Sequence, residues 1–499
     1  MRIPCLRNRR DLGFSLRMLQ LARRTCEAAF FLSRHRYFSS RAGCGNGSSS
    51  FAVMSFGDGS QGSLGLPSSL VGIGADAYEP TVVPGLPPDV VSVSAGHYHS
   101  LAVTAEGELW AWGRNDEGQL GRGLLAPRHS WNEPKRVEGL GNVKVRAAFA
   151  SGVISVAVGD DGSMWTWGRS KRGQLGLGKG VVEAAQPSRV ELLAGEEICK
   201  VSLGWGHALA CTIDGKLFGW GYAADGRLGQ LGGTVETSPL DTSATLLRRR
   251  ELNSHQAVEI TEKLLMVGME KEMDMPIVWE PHVIEELQLV GVTDVSCGLD
   301  HSLVICRDGA LLSGGSNIYG QLGRQNQDLG LFPVDIEFSP FSAASGLGHS
   351  MAICKISASG DPNNSRNVVL SWGWDQSYQL GRVGLKDKPS VVEGLAEEAP
   401  TAISCGRAHS LAVTAGGGLW VWGCGKNGRL GLGSSFDEPE PVLVDIGGHK
   451  VIQAVAGFDH TLILVSESLR RLGICQPIVT QDFDIENICL HSGYTKSTM

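Results

Sequence analysis

The stretch Gly96–Gly121 reads GHYHSLAVTAEGELWAWGRNDEGQLG and contains the two short patterns on which the fold depends. An apolar segment, Ser100–Thr104, is followed by the turn-forming pair Glu106-Gly107 and by a second apolar segment, Leu109–Trp112. Two apolar runs joined by a glycine turn are typical of an antiparallel β-hairpin. The stretch therefore predicts a hairpin with a Gly-x-x-His signature before it and a Trp-Gly…Gln-Leu-Gly signature at its end.

The second signature recurs along most of the chain. The steps between the second residues of successive copies are 56, 55, 53, 94, 58 and 50 residues. This spacing identifies an internal repeat, and the one long step indicates an insertion of about 40 residues. The seven copies begin at Phe56-Gly57, Trp112-Gly113, Trp167-Gly168, Trp220-Gly221, Gly314-Gly315, Trp372-Gly373 and Trp422-Gly423.

The Gly-x-x-His signature supplies one histidine per repeat, and a set of histidines first suggests a metal site. A ligand set must converge within a few ångströms, whereas equivalent positions of a repeat lie apart. We therefore expect structural imidazoles that hydrogen-bond the backbone or the following turn. The second repeat departs, with Ser151 and Ile154 at the Gly and His positions. The histidines are His99, His207, His301, His349, His409 and His460.

Each repeat predicts a small four-stranded sheet that cannot bury both of its faces alone, and a radial ring of such sheets buries them all. The predicted fold class is therefore all-β, a seven-bladed β-propeller over residues 51–466. The first copy, Phe51–Gly57, lacks a His strand before it, and the C-terminal segment Gly457–Val465 supplies one. We expect these N- and C-terminal strands to share one blade and close the ring.

Two further residue types fit this ring. The repeated tryptophans are expected to pack between blades. Cys297 and Cys405 stand where other copies have alanine, so they are expected to fill a small slot and to have no redox role. The tryptophans are Trp112, Trp167, Trp220, Trp372 and Trp422.

Composition agrees with a folded ring and excludes other classes. Glycine accounts for 67 of 499 residues, about twice its usual share, as repeated turns and close backbone approaches require. The apolar share of 42% excludes a mainly disordered chain, and no run of about 18 apolar residues exists to span a membrane as a helix. Walker, nucleophile-elbow, zincin and Cys-x-x-Cys motifs are missing, so we expect no catalysis and no cofactor.

The N-terminus has the composition of an organelle transit peptide. Residues 1–38 contain nine arginines against two acidic residues, and the sequence Arg36-Tyr37-Phe38-Ser39-Ser40 resembles a plant-type mitochondrial cleavage site between Phe38 and Ser39. We predict a mitochondrial transit peptide over 1–38, with a chloroplast address as the main alternative, and a flexible linker over 39–50. The remainder of the chain carries 35 basic and 50 acidic residues.

Three further segments lie outside the repeat pattern. The insertion at about 230–290 contains Arg248-Arg249-Arg250 and, over His255–Asp274, apolar residues at helical spacing, so a partly helical segment is predicted. It is expected either to contact a partner or to cover the ring edge. Ser357–Arg366 is interpreted as a solvent loop, and the tail 467–499 gives no clear signal.

The combined Gly-x-x-His-Ser-Leu strand, the glycine turn, Trp-x-Trp-Gly and Gly-Gln-Leu-Gly resemble the regulator of chromosome condensation family of seven-bladed propellers. The resemblance covers about residues 51–466 and is closest to the plant mitochondrial members. It implies a non-enzymatic scaffold in the mitochondrial matrix that supports organellar RNA processing, intron splicing or ribosome assembly, and through it respiratory complex I. Implied partners are proteins such as splicing factors or an organellar ribonucleoprotein.

Other family activities give alternatives. Guanine-nucleotide exchange on a small GTPase is one, although no wedge residue is matched in this sequence. Ultraviolet-B reception is another, but its Gly-Trp-Arg-His-Thr motif has only Gly204-Trp205-Gly206-His207 as a counterpart. Because the chain beyond residue 38 is acidic, RNA contact is expected to be local. Candidate contact residues are Arg169, Lys171, Arg172, Arg248, Arg249 and Arg250.

Overall fold

The computed structural model describes residues 51–67, 74–124, 127–230, 276–325, 328–357 and 365–466. These residues form 28 strands in seven four-stranded sheets, and neighbouring strands pair antiparallel in every sheet. The predicted transit peptide, its cleavage site Phe38-Ser39, the linker, the tail and the helical part of the insertion lie outside the described residues.

The strand bounds follow the repeat. The strands are β1 Phe51–Gly57, β2 Ala77–Val82, β3 Val90–Ala95, β4 His99–Thr104, β5 Leu109–Gly113, β6 Lys135–Arg136, β7 Val145–Ser151, β8 Ile154–Gly159, β9 Met164–Arg169, β10 Glu183–Arg189, β11 Ile198–Leu203, β12 His207–Thr212, β13 Leu217–Tyr222, β14 Ile277–Val283, β15 Val292–Cys297, β16 His301–Cys306, β17 Leu311–Gly315, β18 Phe332–Pro333, β19 Ser339–Ser345, β20 His349–Ser357, β21 Ser365–Gly373, β22 Ser390–Val391, β23 Pro400–Cys405, β24 His409–Thr414, β25 Leu419–Gly423, β26 Glu438–Leu443, β27 Lys450–Ala456 and β28 His460–Ser466. Short 3-10 helices lie at Arg128–Ser130, Glu191–Leu193, Ala224–Gly226, Glu285–Leu287, Glu393–Leu395 and Lys426–Gly428.

The sheets are the blades of a closed propeller. The first strands of successive blades contact one another in a cycle that runs β3, β7, β11, β15, β19, β23, β27 and back to β3, so they surround the axis. We name the strands of each blade A to D from the axis outward. The A–B loops and C–D segments lie on one side of the ring, here called the A–B face. The B–C turns and D–A connections lie on the opposite face.

One blade is built from both ends of the ring, as the sequence predicts. Its strand order is β2-β1-β28-β27, so strand β1 lies between β2 and the C-terminal β28. The pairing of β1 with β28 is continuous from Phe51 opposite Ser466 to Gly57 opposite His460. Backbone hydrogen bonds along this seam therefore join the two chain segments that close the ring.

The hydrophobic core lies between adjacent blades. Leu101 and Leu109 of one blade pack with Ala157 and Trp167 of the next, and comparable clusters occur around the ring. The five repeated tryptophans are fully buried. Adjacent blades therefore bury each other's hydrophobic faces, as expected of radially repeated sheets.

Candidate functional site

The repeat histidines join each blade to the next. His99 Nε2 lies 2.8 Å from Ser155 Oγ of the following blade, and that hydroxyl donates to the carbonyl of Gln119 at 2.8 Å. Trp167 Nε1 donates to the same carbonyl at 2.8 Å. Because the hydroxyl hydrogen is used on the carbonyl, the imidazole donates its Nε2–H to the serine oxygen. We call this arrangement the inter-blade latch.

The latch is present at all six histidines. The partners of the other five are hydroxyls on the B strand of the following blade, at 2.9 to 3.2 Å, rather than the backbone or turn that the sequence analysis expected. The pairs are His207–Ser302, His301–Ser350, His349–Ser410, His409–Thr461 and His460–Ser100. The prediction of structural histidines agrees with this geometry, because the six imidazoles bond around the ring and do not converge.

The glycine of Gly-x-x-His accommodates the imidazole. A Cβ at Gly346 would lie 2.6 Å from His349 Nδ1 and 2.5 Å from the carbonyl oxygen of Gly406. Burial lowers the pKa of His349 to about 3 and that of His301 to about 4. These imidazoles are therefore neutral at physiological pH. Each carries one proton, on the Nε2 that donates the hydrogen bond, because burial disfavours the doubly protonated, charged ring.

In the blade without a histidine, both partners of the latch are replaced together. Ile154 replaces the histidine, and the residue that would supply the hydroxyl in the following blade is Ala208. Both side chains are buried in one hydrophobic cluster, and Trp220 Nε1 still donates to the carbonyl of Gln174 at 2.7 Å. An apolar contact thus replaces the polar pair without leaving a buried hydroxyl unsatisfied.

In two copies, arginine replaces the glutamine of Gln-Leu-Gly and is paired with an aspartate of the following blade. Arg227 is buried, and its guanidinium contacts Asp300 at 2.6 Å and Asp225 at 3.0 Å. Arg429 in another blade contacts Asp459 at 2.5 Å. In both cases the aspartate directly precedes the histidine of the following blade. These arginines form ion pairs inside the ring and are not exposed binding groups.

The two singled-out cysteines line the axis at the ends of their A strands. Cys297 Sγ lies 3.4 Å from the carbonyl oxygen of Ser202. Burial raises the pKa of the Cys297 thiol to about 12 and raises that of Cys405 as well. A thiol with a raised pKa is a poor nucleophile, in agreement with the expected small-residue role.

A row of aromatic and arginine side chains lies beside the axis on the A–B face. The ring of His97 stacks on Trp205 with centroids 5.4 Å apart and planes 19° apart, and its centroid lies 4.3 Å from that of the Phe458 ring. Arg172 lies 5.8 Å from the Trp205 ring, and Arg407 lies 5.2 Å from the Phe458 ring. These five residues, called the axial row, place three adjacent aromatic rings between two guanidinium groups at the end of the channel.

Local sequence explains how the row forms. Trp205, His97 and Phe458 each occupy the first variable position of a Gly-x-x-His signature, which points into the axial opening. Gly206 leaves the room that Arg172 needs, since a Cβ there would lie 2.8 Å from the Arg172 Cδ. Arg172 also lies 5.5 Å from the Tyr222 ring. The arginine missing after Trp205 in the sequence is thus provided by the preceding blade.

Exposed aromatic residues are concentrated on this face. Among the described residues, the exposed Trp, Tyr and Phe side chains all belong to A–B loops, C–D segments or the end of β2 on that side, whereas Leu289 and Leu192 are exposed on the opposite face. Tyr319 also contacts Trp374 with ring centroids 5.8 Å apart. The exposed aromatic residues are Tyr78, Trp205, Tyr319, Tyr378 and Phe436.

Charge separates the two faces even more clearly. The described A–B loops and C–D segments hold 14 basic and 12 acidic residues, whereas the described B–C turns and D–A connections hold 3 basic and 19 acidic residues. The acidic excess of the chain is therefore located on the face opposite the axial row. An anionic ligand would meet strong repulsion on that face and a nearly balanced surface on the A–B face.

Three of the sequence-predicted contact residues belong to the A–B face. Arg169 and Lys171 are exposed and Arg172 is half-buried beside Trp205. Arg248, Arg249 and Arg250 lie outside the described residues. The C–D segment 223–276 that contains them begins and ends on this same face, where the Ala223 amide donates to the carbonyl of Pro276 at 3.1 Å. The bounds predicted for the insertion, about 230–290, extend too far, because Ile277–Val283 form strand β14 of the blade. The axial row was not predicted from the sequence. Its signal is an aromatic residue or histidine directly after the glycine of the Gly-x-x-His signature, as at His97, Trp205 and Phe458.

Two further findings concern the described part of the chain. No group of three or more His, Cys, Asp or Glu side chains in it is arranged to hold a metal ion. No helix within it is long and apolar enough to cross a membrane.

Seven blades, the latch and the Trp-Gly and Gln-Leu-Gly signatures define a propeller of the regulator of chromosome condensation type. The RCC1-like domain matches residues 52–463, and the chain therefore belongs to the RCC1-like domain family. It is 29% identical over 401 residues to the Arabidopsis thaliana ultraviolet-B receptor UVR8, covering 79% of this chain and 77% of that protein. It is also 29% identical over 393 residues to the mitochondrial RCC1 domain-containing protein RUG3 of the same plant, covering 76% and 77%.

Solved structures show the same fold. Prp20p of Saccharomyces cerevisiae, described with its binding to Gsp1p and histones, superposes with a TM-score of 0.65 at 20% identity over 85% of this chain and 93% of that one. Human WBSCR16 superposes with a TM-score of 0.62 at 20% identity, covering 83% and 99%. At these identities the similarity establishes the fold and not a shared partner.

Proposed function

We propose that this protein is a non-enzymatic scaffold of the mitochondrial matrix that supports organellar RNA processing, such as intron splicing or ribosome assembly, and through it complex I biogenesis. The observation that carries the proposal is the division of the ring into an acidic face and a face with exposed aromatic and basic side chains. A rigid ring with one such face suits the assembly of partners. The Arg-rich N-terminus and the similarity to a mitochondrial relative support the location.

The test is affinity purification of the tagged mature protein from isolated plant mitochondria, with sequencing of the recovered RNA and protein. We expect splicing factors, ribosome-assembly factors or intron-containing transcripts. A protein that is imported by chloroplasts instead would overturn the location. Recovery of bulk matrix proteins alone would overturn the scaffold role.

Guanine-nucleotide exchange on a small GTPase is the alternative, and it predicts a different result. The same purification would then recover a GTPase without RNA, and the pure protein would accelerate release of GDP from it. Exchange requires only that the contacts between the GTPase and its bound nucleotide are displaced, and no covalent bond is made or broken. It is therefore compatible with a ring that has no catalytic motif. The two assays therefore separate the alternatives.

A further inference from the structure

We propose that the axial row, together with the basic C–D segment 170–182 beside it, is a stacking platform for single-stranded RNA. This inference rests on the proposed function and identifies the surface and the ligand that it would use. Proteins that bind single strands combine aromatic rings, on which bases stack, with cationic groups that follow the phosphates. Both components adjoin one another at Trp205.

The three rings form a contiguous cluster with an arginine over the ring at each end. Trp205 is 46% exposed, although His97 stacks on it at a centroid distance of 5.4 Å. The indole therefore keeps exposed surface that a base can contact, beside the Arg172 guanidinium that lies over the ring. Burial lowers the pKa of His97 to about 4, so the middle ring is neutral and the row draws its charge from arginines. Neutral rings flanked by guanidinium planes are the combination that unstacked bases recognise.

The cations are distributed unevenly along the row. At the far end, Arg407 is partly neutralised by Asp459 at 3.3 Å. At the Trp205 end, segment 170–182 contains three basic residues and no acidic residue. Its Lys171 and Lys179 are exposed, and the Arg172 guanidinium lies over the Trp205 ring at 5.8 Å from its centroid. A strand whose base stacks on Trp205 would thus have its phosphates near this segment.

The opposite face cannot serve the same ligand. Its described turns and connections hold 19 acidic residues against 3 basic ones. A polyanion is therefore directed to the A–B face even though the chain as a whole is acidic. This arrangement removes the conflict between the negative net charge and an RNA ligand, because the charge that repels RNA lies on the other side.

The experiment measures binding of the purified mature protein to a fluorescein-labelled unstructured poly(U) RNA by fluorescence anisotropy at several salt concentrations. Trp205→Ala is expected to weaken binding about five- to a hundred-fold, the usual effect of removing one base-stacking aromatic. Trp205→Phe is expected to restore most of the affinity because the ring is kept. Lys171→Gln is expected to lower both the affinity and the steepness of the salt dependence.

Matched controls come from the opposite face. Leu289→Ala removes a fully exposed apolar side chain and Lys144→Gln removes a cation there, and both are expected to leave RNA binding unchanged. Thermal unfolding checks that Trp205→Ala is folded. Equal affinity of the parent protein and folded Trp205→Ala would overturn the inference, as would absence of RNA binding by the parent.

The same variants separate this inference from the proposed function. If the pure protein does not bind poly(U) but still recovers organellar ribonucleoproteins, the platform is refuted and the scaffold role stands. If Trp205→Ala instead loses a recovered protein partner, the surface recognises protein and not RNA. If RNA binding depends on Trp205 but the protein is absent from mitochondria, the platform stands and the proposed function falls.

Discussion

Single residues hold the ring together through the inter-blade latch, and the latch gives the first prediction. His349→Ala removes a buried ring and its hydrogen bond to Ser410, so the free energy of unfolding should fall by about 2–5 kcal/mol. The change should lower the midpoint of urea unfolding monitored by tryptophan fluorescence. His282→Ala, at an exposed histidine, is the control and should leave the midpoint in place. Equal midpoints for both variants would contradict a structural latch.

The neutral latch histidines also predict instability in acid. Their pKa values fall to about 3 for His99 and His349 and to about 4 for His301 and His460, below the ordinary value near 6.5. The unfolded chain therefore binds more protons in this interval, and stability is lost as the pH falls from about 6.5 towards 4. Each histidine costs about 2 kcal/mol at pH 5. Urea midpoints measured between pH 7.5 and 5 should drop steeply.

A variant that copies the natural exception is the control for this pH effect. His349→Ile combined with Ser410→Ala reproduces the Ile154–Ala208 pair and removes one titrating group. Its midpoint should vary less with pH than that of the parent protein. An unchanged slope would mean that His349 does not contribute to the acid effect.

The residue pairs that depart from the repeat consensus also show what could be predicted from the sequence at this scale. Ile154 with Ala208 and Arg227 with Asp300 are visible in the sequence as departures in successive copies. Their partnership could not be inferred, because it depends on which hydroxyl or carboxylate of the next blade faces each position. The sequence therefore predicts histidine hydrogen bonds to the backbone or the following turn, whereas the structure has them on Ser and Thr hydroxyls.

Within a blade, the tight A–B loop requires glycine, and Gly346 tests this. A Cβ there would crowd both His349 Nδ1 and the Gly406 carbonyl, so Gly346→Ala should destabilise the protein by about 1–3 kcal/mol. Gly141→Ala is the matched control, since a Cβ at that position meets nothing within 4 Å. Thermal unfolding should separate the two variants. Equal melting temperatures would show that the loop can adjust.

The strands themselves were largely predictable from the sequence. The hairpin inferred at Ser100–Trp112 corresponds to β4 and β5, because alternating apolar residues and a glycine turn specify it locally. The outer strands were harder, since β6, β18 and β22 have two residues each and carry little pattern. The axial row was out of reach because Trp205, His97 and Phe458 meet only across the closed ring.

At the scale of the whole molecule, ring closure depends on β1. A chain that starts at Ser50 keeps this strand, whereas one that starts at Asp58 leaves β28 without its partner. The longer chain should unfold cooperatively at the parent temperature. The shorter one should lose cooperative unfolding or aggregate, because an unpaired central strand exposes its edge. Calorimetry together with light scattering measures both. Cooperative unfolding of the shorter chain would contradict closure by the shared blade.

We propose that the A–B face is the recognition face of the molecule. Ultraviolet cross-linking in isolated mitochondria, followed by mass spectrometry of nucleotide adducts on the purified protein, tests it directly. We expect adducts on peptides containing Trp205, Phe458 and the 170–182 segment, and their loss in Trp205→Ala. Adducts confined to the acidic turns of the opposite face, or protein that carries none, would contradict it.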